Sequence, residues 1–199
     1  MAKLKTISQF KSALKGGGAR PNLFQVELGS LPDGISWDAD TFTYLCKAAA
    51  LPASNIANID VPFRGRIFKV AGDRTIDAWS VTIINDEDFK LRRAFEAWTE
   101  LIAKLDNNLG ATNPNAYMKT ATVYQLGRSS GKSTTNTNST NSGSDSAILA
   151  AYKFVDIFPT SVSPIDLSYD SSDTIEEFTV EFQVQTYEIL NVNAASTAG

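Results

Sequence analysis

Apolar and polar residues alternate most regularly over residues 177–188, where Phe178, Val180, Phe182 and Val184 interleave with Thr179, Glu181, Gln183 and Gln185. A period of two with one apolar side predicts an antiparallel strand, one face on a core and the other in water. Residues 22–28 repeat the pattern with Phe24, Val26 and Leu28 against Gln25 and Glu27, and Leu31-Pro32-Asp33-Gly34 supplies turn chemistry after them. Further strands are predicted over residues 41–47, 63–70, 119–126 and 147–158, with a short one over 162–168. Ala71-Gly72-Asp73-Arg74 reads as a turn, with residues 76–84 as the hairpin partner of 63–70. Residues 51–62 hold two prolines among Ser54, Asn55 and Asn58, which predicts an extended loop.

The period changes after Ile84. Leu91, Phe95, Trp98, Ile102 and Leu105 recur at spacings of four and three, one apolar stripe on a helix over residues 86–109. Asn85 is a suitable N-cap, Asp86, Glu87 and Asp88 suit the positive end of the helix dipole, and Leu109-Gly110 is a stop signal. Ile7, Phe10 and Leu14 predict a shorter helix that Gly16-Gly17-Gly18 ends. So small a stripe buries little alone. It is either a frayed arm or an arm that packs on a neighbouring subunit.

Many strands with one dominant helix define a β-rich α+β class: an antiparallel β-sandwich or partly closed barrel with one long amphipathic helix packed outside. The expected organisation is an N-terminal arm (1–20), a β domain (21–192) and a flexible small-residue tail (193–199). Residues 127–146, almost wholly Ser, Thr, Asn and Gly, form a low-complexity insertion expected to be a mobile, exposed loop.

Composition narrows the chemistry. The 199 residues include no histidine and a single cysteine, which removes the commonest general base and any tetrahedral zinc site. Cys46 reads as a buried small hydrophobe rather than a nucleophile, since no histidine is present to activate it. A formal charge of −4 opposes tight binding to nucleic acid. No apolar run approaches the roughly 20 residues needed to span a bilayer, and the N-terminus lacks a secretory apolar core.

The remaining motifs weaken on inspection. Gly127-Arg128-Ser129-Ser130-Gly131-Lys132-Ser133 has three residues between its glycines where a phosphate-binding loop needs four, and no helix follows. Consecutive Asp86, Glu87 and Asp88 splay apart on a helix, and capping explains them better than a Mg²⁺ or Ca²⁺ site. Carboxylates are plentiful, yet no spacing singles out a glycosidase pair. Arg64, Arg66, Lys69 and Arg74 form a basic cluster beside Phe63 and Phe68, read as intersubunit or solvated charges along one strand face. No catalytic residue, cofactor or metal ligand is expected.

The block from Val61 to Trp98, with PFRGR, AGDRT and INDEDF in that order, resembles the tail tube proteins of contractile-tailed bacteriophages. The opening SQFKSALKGGGARPNLFQV (residues 8–26) is similar to N-termini of the same group. The resemblance covers most of the chain but not residues 127–146. It implies a structural virion protein forming hexameric rings, with sheets continuing between subunits, stacked head to tail into the inner tail tube. Phage DNA passes through without sequence-specific binding, and there is no membrane insertion. Tail sheath, baseplate, tape-measure and tail terminator proteins are the implied partners, and the virion the implied location after assembly in the host cytoplasm.

Within that frame, Leu51, Ile56, Ile59, Val61, Phe63, Arg64 and Arg66, with Ile7 and Phe10 of the arm, are candidates for inter-ring or intersubunit contact. The loop over 51–62 carries more apolar surface than a free loop needs. Thr179, Glu181, Gln183 and Gln185 are candidates for the channel lining, where carboxylates would repel DNA phosphates. A tube subunit of a type VI secretion or extracellular contractile injection system is the neighbouring alternative. A β-sandwich carbohydrate-binding module, resting on Trp37 and Tyr44, is the alternative of another class.

Overall fold

The computed structural model describes residues 6–14, 18–51, 53–130 and 146–190. Most of the low-complexity insertion and the whole C-terminal tail lie outside the described residues. In chain order the elements are α1 (Ile7–Ala13), β1 (Phe24–Leu28), α2 (Ala39–Leu45), β2 (Cys46–Ala49), β3 (Ser54–Phe63) and β4 (Arg66–Ile76). There follow β5 (Trp79–Ile84), α3 (Lys90–Ile102), α4 (Pro114–Tyr117), β6 (Lys119–Ser130), β7 (Ser146–Val162) and β8 (Glu177–Leu190). A six-stranded sheet has the order β1-β6-β7-β8-β5-β2, and β3 and β4 form a separate two-stranded ribbon. The β-rich α+β class with an external helix holds.

By its contacts the chain divides into two units, one of residues 26–122 with 153–188, the other of residues 1–25, 123–152 and 189–199. In the larger unit β5 pairs antiparallel with β8, placing Trp79 opposite Phe182, Val81 opposite Val180 and Ile83 opposite Phe178. All six side chains are buried, so the alternation read in residues 177–188 is the core face of the sheet. Helix α3 covers that face with Leu91, Phe95 and Trp98, and the Phe95 ring lies 5.9 Å from Phe182 and 6.3 Å from Phe178. Rings at such separations add edge-to-face attraction to the burial of large apolar surfaces.

The helix is shorter than its sequence pattern. It runs from Lys90 to Ile102, and Leu105 and Leu109 are exposed. Asn85 is not its cap. That residue still ends the sheet: its N–H donates to the Glu176 carbonyl at 2.9 Å, and its carboxamide donates to the Glu176 carboxylate at 3.0 Å. The chain turns before the helix begins, with Phe89 in the left-handed region (φ 52°) as the N-cap residue and its N–H on the Asp86 carbonyl. Asp88 instead pairs with Lys90 at 2.5 Å, and that hydrogen bond and charge hold its carboxyl below the usual carboxylate range. At the other end the chain folds back on α3 through Ala111 N–H to the Leu101 carbonyl. A Cβ at Gly110 would run into the Ile102 carbonyl, so the close approach requires glycine.

Residues 41–47 are mostly helical rather than a strand. Asp38 caps α2 through the Asp40 N–H, and Phe42 is buried with its ring 6.2 Å from Phe95. Local capping and one buried aromatic override the strand preference of Thr41, Phe42, Thr43 and Tyr44. Strand β7 absorbs the start of the predicted 162–168 strand and ends at Val162. Strand β6 runs on to Ser130, so the predicted loop is strand at its first residues, and the loop expected beyond them falls on residues not described.

In the smaller unit, α1 is closed by a capping box in which Thr6 and Gln9 satisfy one another's backbone N–H groups. Gln125 donates to the Arg20 and Leu23 carbonyls at 2.7 Å each, fixing the approach to β1.

Candidate assembly surfaces

The ribbon is the largest departure from expectation among the candidate contact residues. Residues 51–62 are not a loop: from Ser54 onward they are strand, paired with β4 from Phe63↔Arg66 to Ser54↔Ile76. The predicted turn at residues 71–74 lies inside β4, and the true turn is Arg64-Gly65, with φ of 46° and 80°. Two central residues at positive φ make the tight turn that matches strand twist, and Gly65 is the residue that adopts it without strain. The Arg64 guanidinium sits 5.4 Å from the centre of the Phe63 ring, a cation–π contact at the tip.

Register decides which side chains share a face, because directly paired residues project to the same side. Val61 pairs with Phe68, Ile59 with Val70 and Phe63 with Arg66, so Ile59, Val61, Phe63, Phe68 and Val70 form one apolar face. All five are exposed, Phe68 to 67 % and Phe63 to 64 %. The other face carries Asp60 opposite Lys69, Asn58 opposite Ala71 and Pro62 opposite Ile67. The basic residues therefore do not follow one strand face: Arg66 lies with the apolar side, Lys69 with the polar side and Arg64 in the turn. A register shift between Ile56 and Asn58 interrupts the ladder, where a Cβ at Gly72 would lie 3.1 Å from the Ala57 carbonyl.

Of the candidate contact residues, Leu51, Ile56, Ile59, Val61, Phe63, Arg64 and Arg66 are all exposed on or beside this ribbon. Ile7 and Phe10 are exposed on α1, in the other unit. The β4 side of that face, Phe68 and Val70, is not among the contact candidates, because Ala71-Gly72-Asp73-Arg74 reads as a turn and makes residues 76–84 the partner of 63–70. The X-Gly dipeptide Arg64-Gly65 between two apolar runs was the available signal.

The outward side of β8 is polar. Glu181, Gln183 and Gln185 are exposed and Thr179 half-buried, opposite the buried Phe178, Val180, Phe182 and Val184. Thr179 and Thr82 share a hydroxyl hydrogen bond of 3.2 Å across β5 and β8, and Lys47 pairs with Glu177. Thr160 donates to the Glu181 carbonyl at 3.1 Å. The surface is an ordered polar ladder.

The residues considered for other chemistry are placed elsewhere. Cys46 is buried, and burial pushes its thiol up to about 12, so it is protonated and inert at neutral pH. Trp37 packs against Phe95 at 4.8 Å and stacks on Phe42 at 5.6 Å, which takes it out of any free sugar platform, while Tyr44 stays exposed. No helix among the described residues is long and apolar enough to cross a membrane.

This fold is shared with chains of the anti-feeding prophage particle. A chain of the anti-feeding prophage baseplate, solved by cryo-electron microscopy and 6-fold symmetrised, superposes with a TM-score of 0.60 at 12 % identity, covering 88 % of this chain and 97 % of that one. A chain of the anti-feeding prophage tube-terminating cap does so with a TM-score of 0.54 at 15 % identity, covering 87 % and 91 %. Sequence goes further. The protein belongs to the phage tail tube protein family, whose model matches residues 19–190. It is 35 % identical over 173 residues to the tail tube protein gp19 of Enterobacteria phage T4, covering 87 % of this chain and 93 % of that protein. Identity to the tail tube protein of Serratia phage KSP90 is 27 % over 128 residues, covering 62 % and 71 %. The expected family and the role of tube subunit are borne out.

Proposed function

We propose that the chain is a non-enzymatic virion subunit that closes into hexameric rings, which stack to make the inner tube of a phage tail. The observation that carries this reading is the exposed apolar face of the β3–β4 ribbon, which a solitary subunit leaves in water. A closing contact generates rings and a second, non-closing contact stacks them. The ribbon supplies the contact between rings. Ile7 and Phe10 of α1 add a second apolar stripe for a neighbouring subunit. The polar side of β8, with Thr179, Glu181, Gln183 and Gln185, lines the channel, where carboxylates repel phosphates and leave DNA free to slide. Sheath, baseplate, tape-measure and terminator proteins are its partners, and assembly takes place in the host cytoplasm.

Identity of 35 % over 87 % of the chain to a phage tail tube protein favours DNA over secreted effectors as cargo. Negative-stain microscopy of concentrated purified protein tests the reading: hollow cylinders are expected. Protein that stays monomeric even when seeded with preformed tube ends contradicts it. Gln183→Cys in such cylinders should be shielded from a thiol probe too large to enter, with the buried Cys46 giving little background.

A further inference from the structure

The ribbon and the β7–β8 loop leave opposite ends of the same pair of strands. Strand β4 delivers the chain into β5 at Trp79, which pairs with Phe182; the loop delivers the chain into β8 at Glu177, which pairs with Ile84. Two hydrogen bonds fix these ends, Ala50 N–H to the Ser80 carbonyl at 3.2 Å and Asn85 N–H to the Glu176 carbonyl at 2.9 Å. The five residue steps from Trp79 to Ile84 separate them by roughly 17 Å of strand.

The two ends have opposite charge. On the ribbon, Arg64, Arg66, Lys69 and Arg74 outnumber Asp60 and Asp73. The loop over residues 163–176 contains Asp166, Asp170, Asp173 and Glu176 and no lysine or arginine. None of Arg64, Arg66, Lys69 or Arg74, and none of Asp166, Asp170 or Asp173, has an ion-pair partner among the described residues. Both ends also expose large apolar side chains: Phe63, Ile67 and Phe68 on the ribbon, Leu167, Tyr169 and Ile175 on the loop.

We infer that the acidic β7–β8 loop of one copy is the docking surface for the basic, apolar β3–β4 ribbon of a second copy, so that charge fixes the direction in which subunits stack. The inference rests on the tube reading above and names the partner surface that reading leaves open. A contact between unlike ends repeats without closing, which is the geometry of a filament. Apolar residues supply the affinity. The charges reject the like-ended arrangements, ribbon on ribbon and loop on loop, by juxtaposing like signs.

Charge reversal tests this. One variant carries Arg64→Glu, Arg66→Glu and Lys69→Glu; the other carries Asp166→Lys, Asp170→Lys and Asp173→Lys. All six positions are exposed, so both variants are expected to fold, which circular dichroism checks. Each alone should need about tenfold or more protein to form tubes seen by light scattering and microscopy. An equimolar mixture should recover wild-type assembly, because each reversed surface then meets its complement on the other protein. Two outcomes overturn the inference: wild-type assembly by either variant alone, or a mixture no better than its components. If Phe68→Asp still abolishes tubes in those cases, the ribbon docks elsewhere and the tube reading stands. Should the unaltered protein form no tubes, the tube reading itself falls.

Discussion

Trp98 donates its indole N–H to the Tyr117 carbonyl at 2.9 Å, which ties helix α3 to α4 while the rest of the ring fills the core. The Phe95 ring stacks 6.4 Å from it, and Phe182 meets it edge-on at 6.0 Å. This one side chain joins helix, sheet and the return of the chain toward β6.

Trp98→Phe should therefore cost about 1–3 kcal/mol, from a lost hydrogen bond, a stranded carbonyl and a small void. Trp98→Ala should cost about 3–5 kcal/mol. Urea unfolding at concentrations too low for tube formation measures both.

Ile59 and Ile56 are separated in sequence by only two residues, yet the ribbon puts them on different faces. Ile59→Asp should raise the protein concentration needed for tubes by about tenfold or more, since it places a charge in the apolar patch. Ile56→Asp should have the smaller effect. Both variants should keep the wild-type unfolding curve, because neither side chain is part of the core. Sedimentation of assembled material reads the difference, and equal effects would contradict the register argument.

Gly65 has φ 80° in the tip turn, with no neighbouring atom within 4 Å of an added Cβ. Gly65→Val should strain the ribbon by about 1–2 kcal/mol through backbone conformation alone. Arg64→Asn should ease the turn, Asn tolerating positive φ better than Arg. Amide exchange of β3 and β4 should speed up in the first variant and slow in the second, with core amides unchanged.

Burial holds the Cys46 thiol at about 12 in the folded chain, above its ordinary value of 9.0. Between those limits the unfolded chain releases a proton that the folded chain keeps, so folding stability falls as pH rises through the window and is unaffected below it. The slope approaches about 1.4 kcal/mol per pH unit for this group. Cys46→Ala should flatten that part of the alkaline profile, and a thiol reagent at neutral pH should label Cys46 only as fast as the protein unfolds.

The elements legible in the sequence are those whose pattern comes from burial. Strand β8 shows its core face residue by residue, and the stripe of Leu91, Phe95 and Trp98 marks α3. What misled was chemistry shared between contexts. Asn85, a good cap by type, spends its carboxamide on Glu176; Leu105 and Leu109 continue a helical spacing beyond a helix that has already ended. The ribbon was hidden for a related reason. Residues 58–63 do alternate, but neither face of the ribbon is buried within the chain, and Pro62 and Gly72 look like breakers although both sit within strands. The candidate assembly residues stand out in the sequence because excess apolar surface shows in composition even when its geometry does not. Their partition between two faces depends on register, which depends on where the chain turns.

A two-stranded ribbon standing alone in water is only marginally stable. Because β3 and β4 pair with each other and with no strand of the larger sheet, a freely diffusing subunit must hold this element in shape without help. Spontaneous initiation then carries the full entropic penalty of ordering several ribbons at once, whereas an existing tube end presents a template against which each newcomer orders one. Growth from a seed should outrun self-starting, so that length is governed by whatever begins and ends the polymer rather than by how much protein is available.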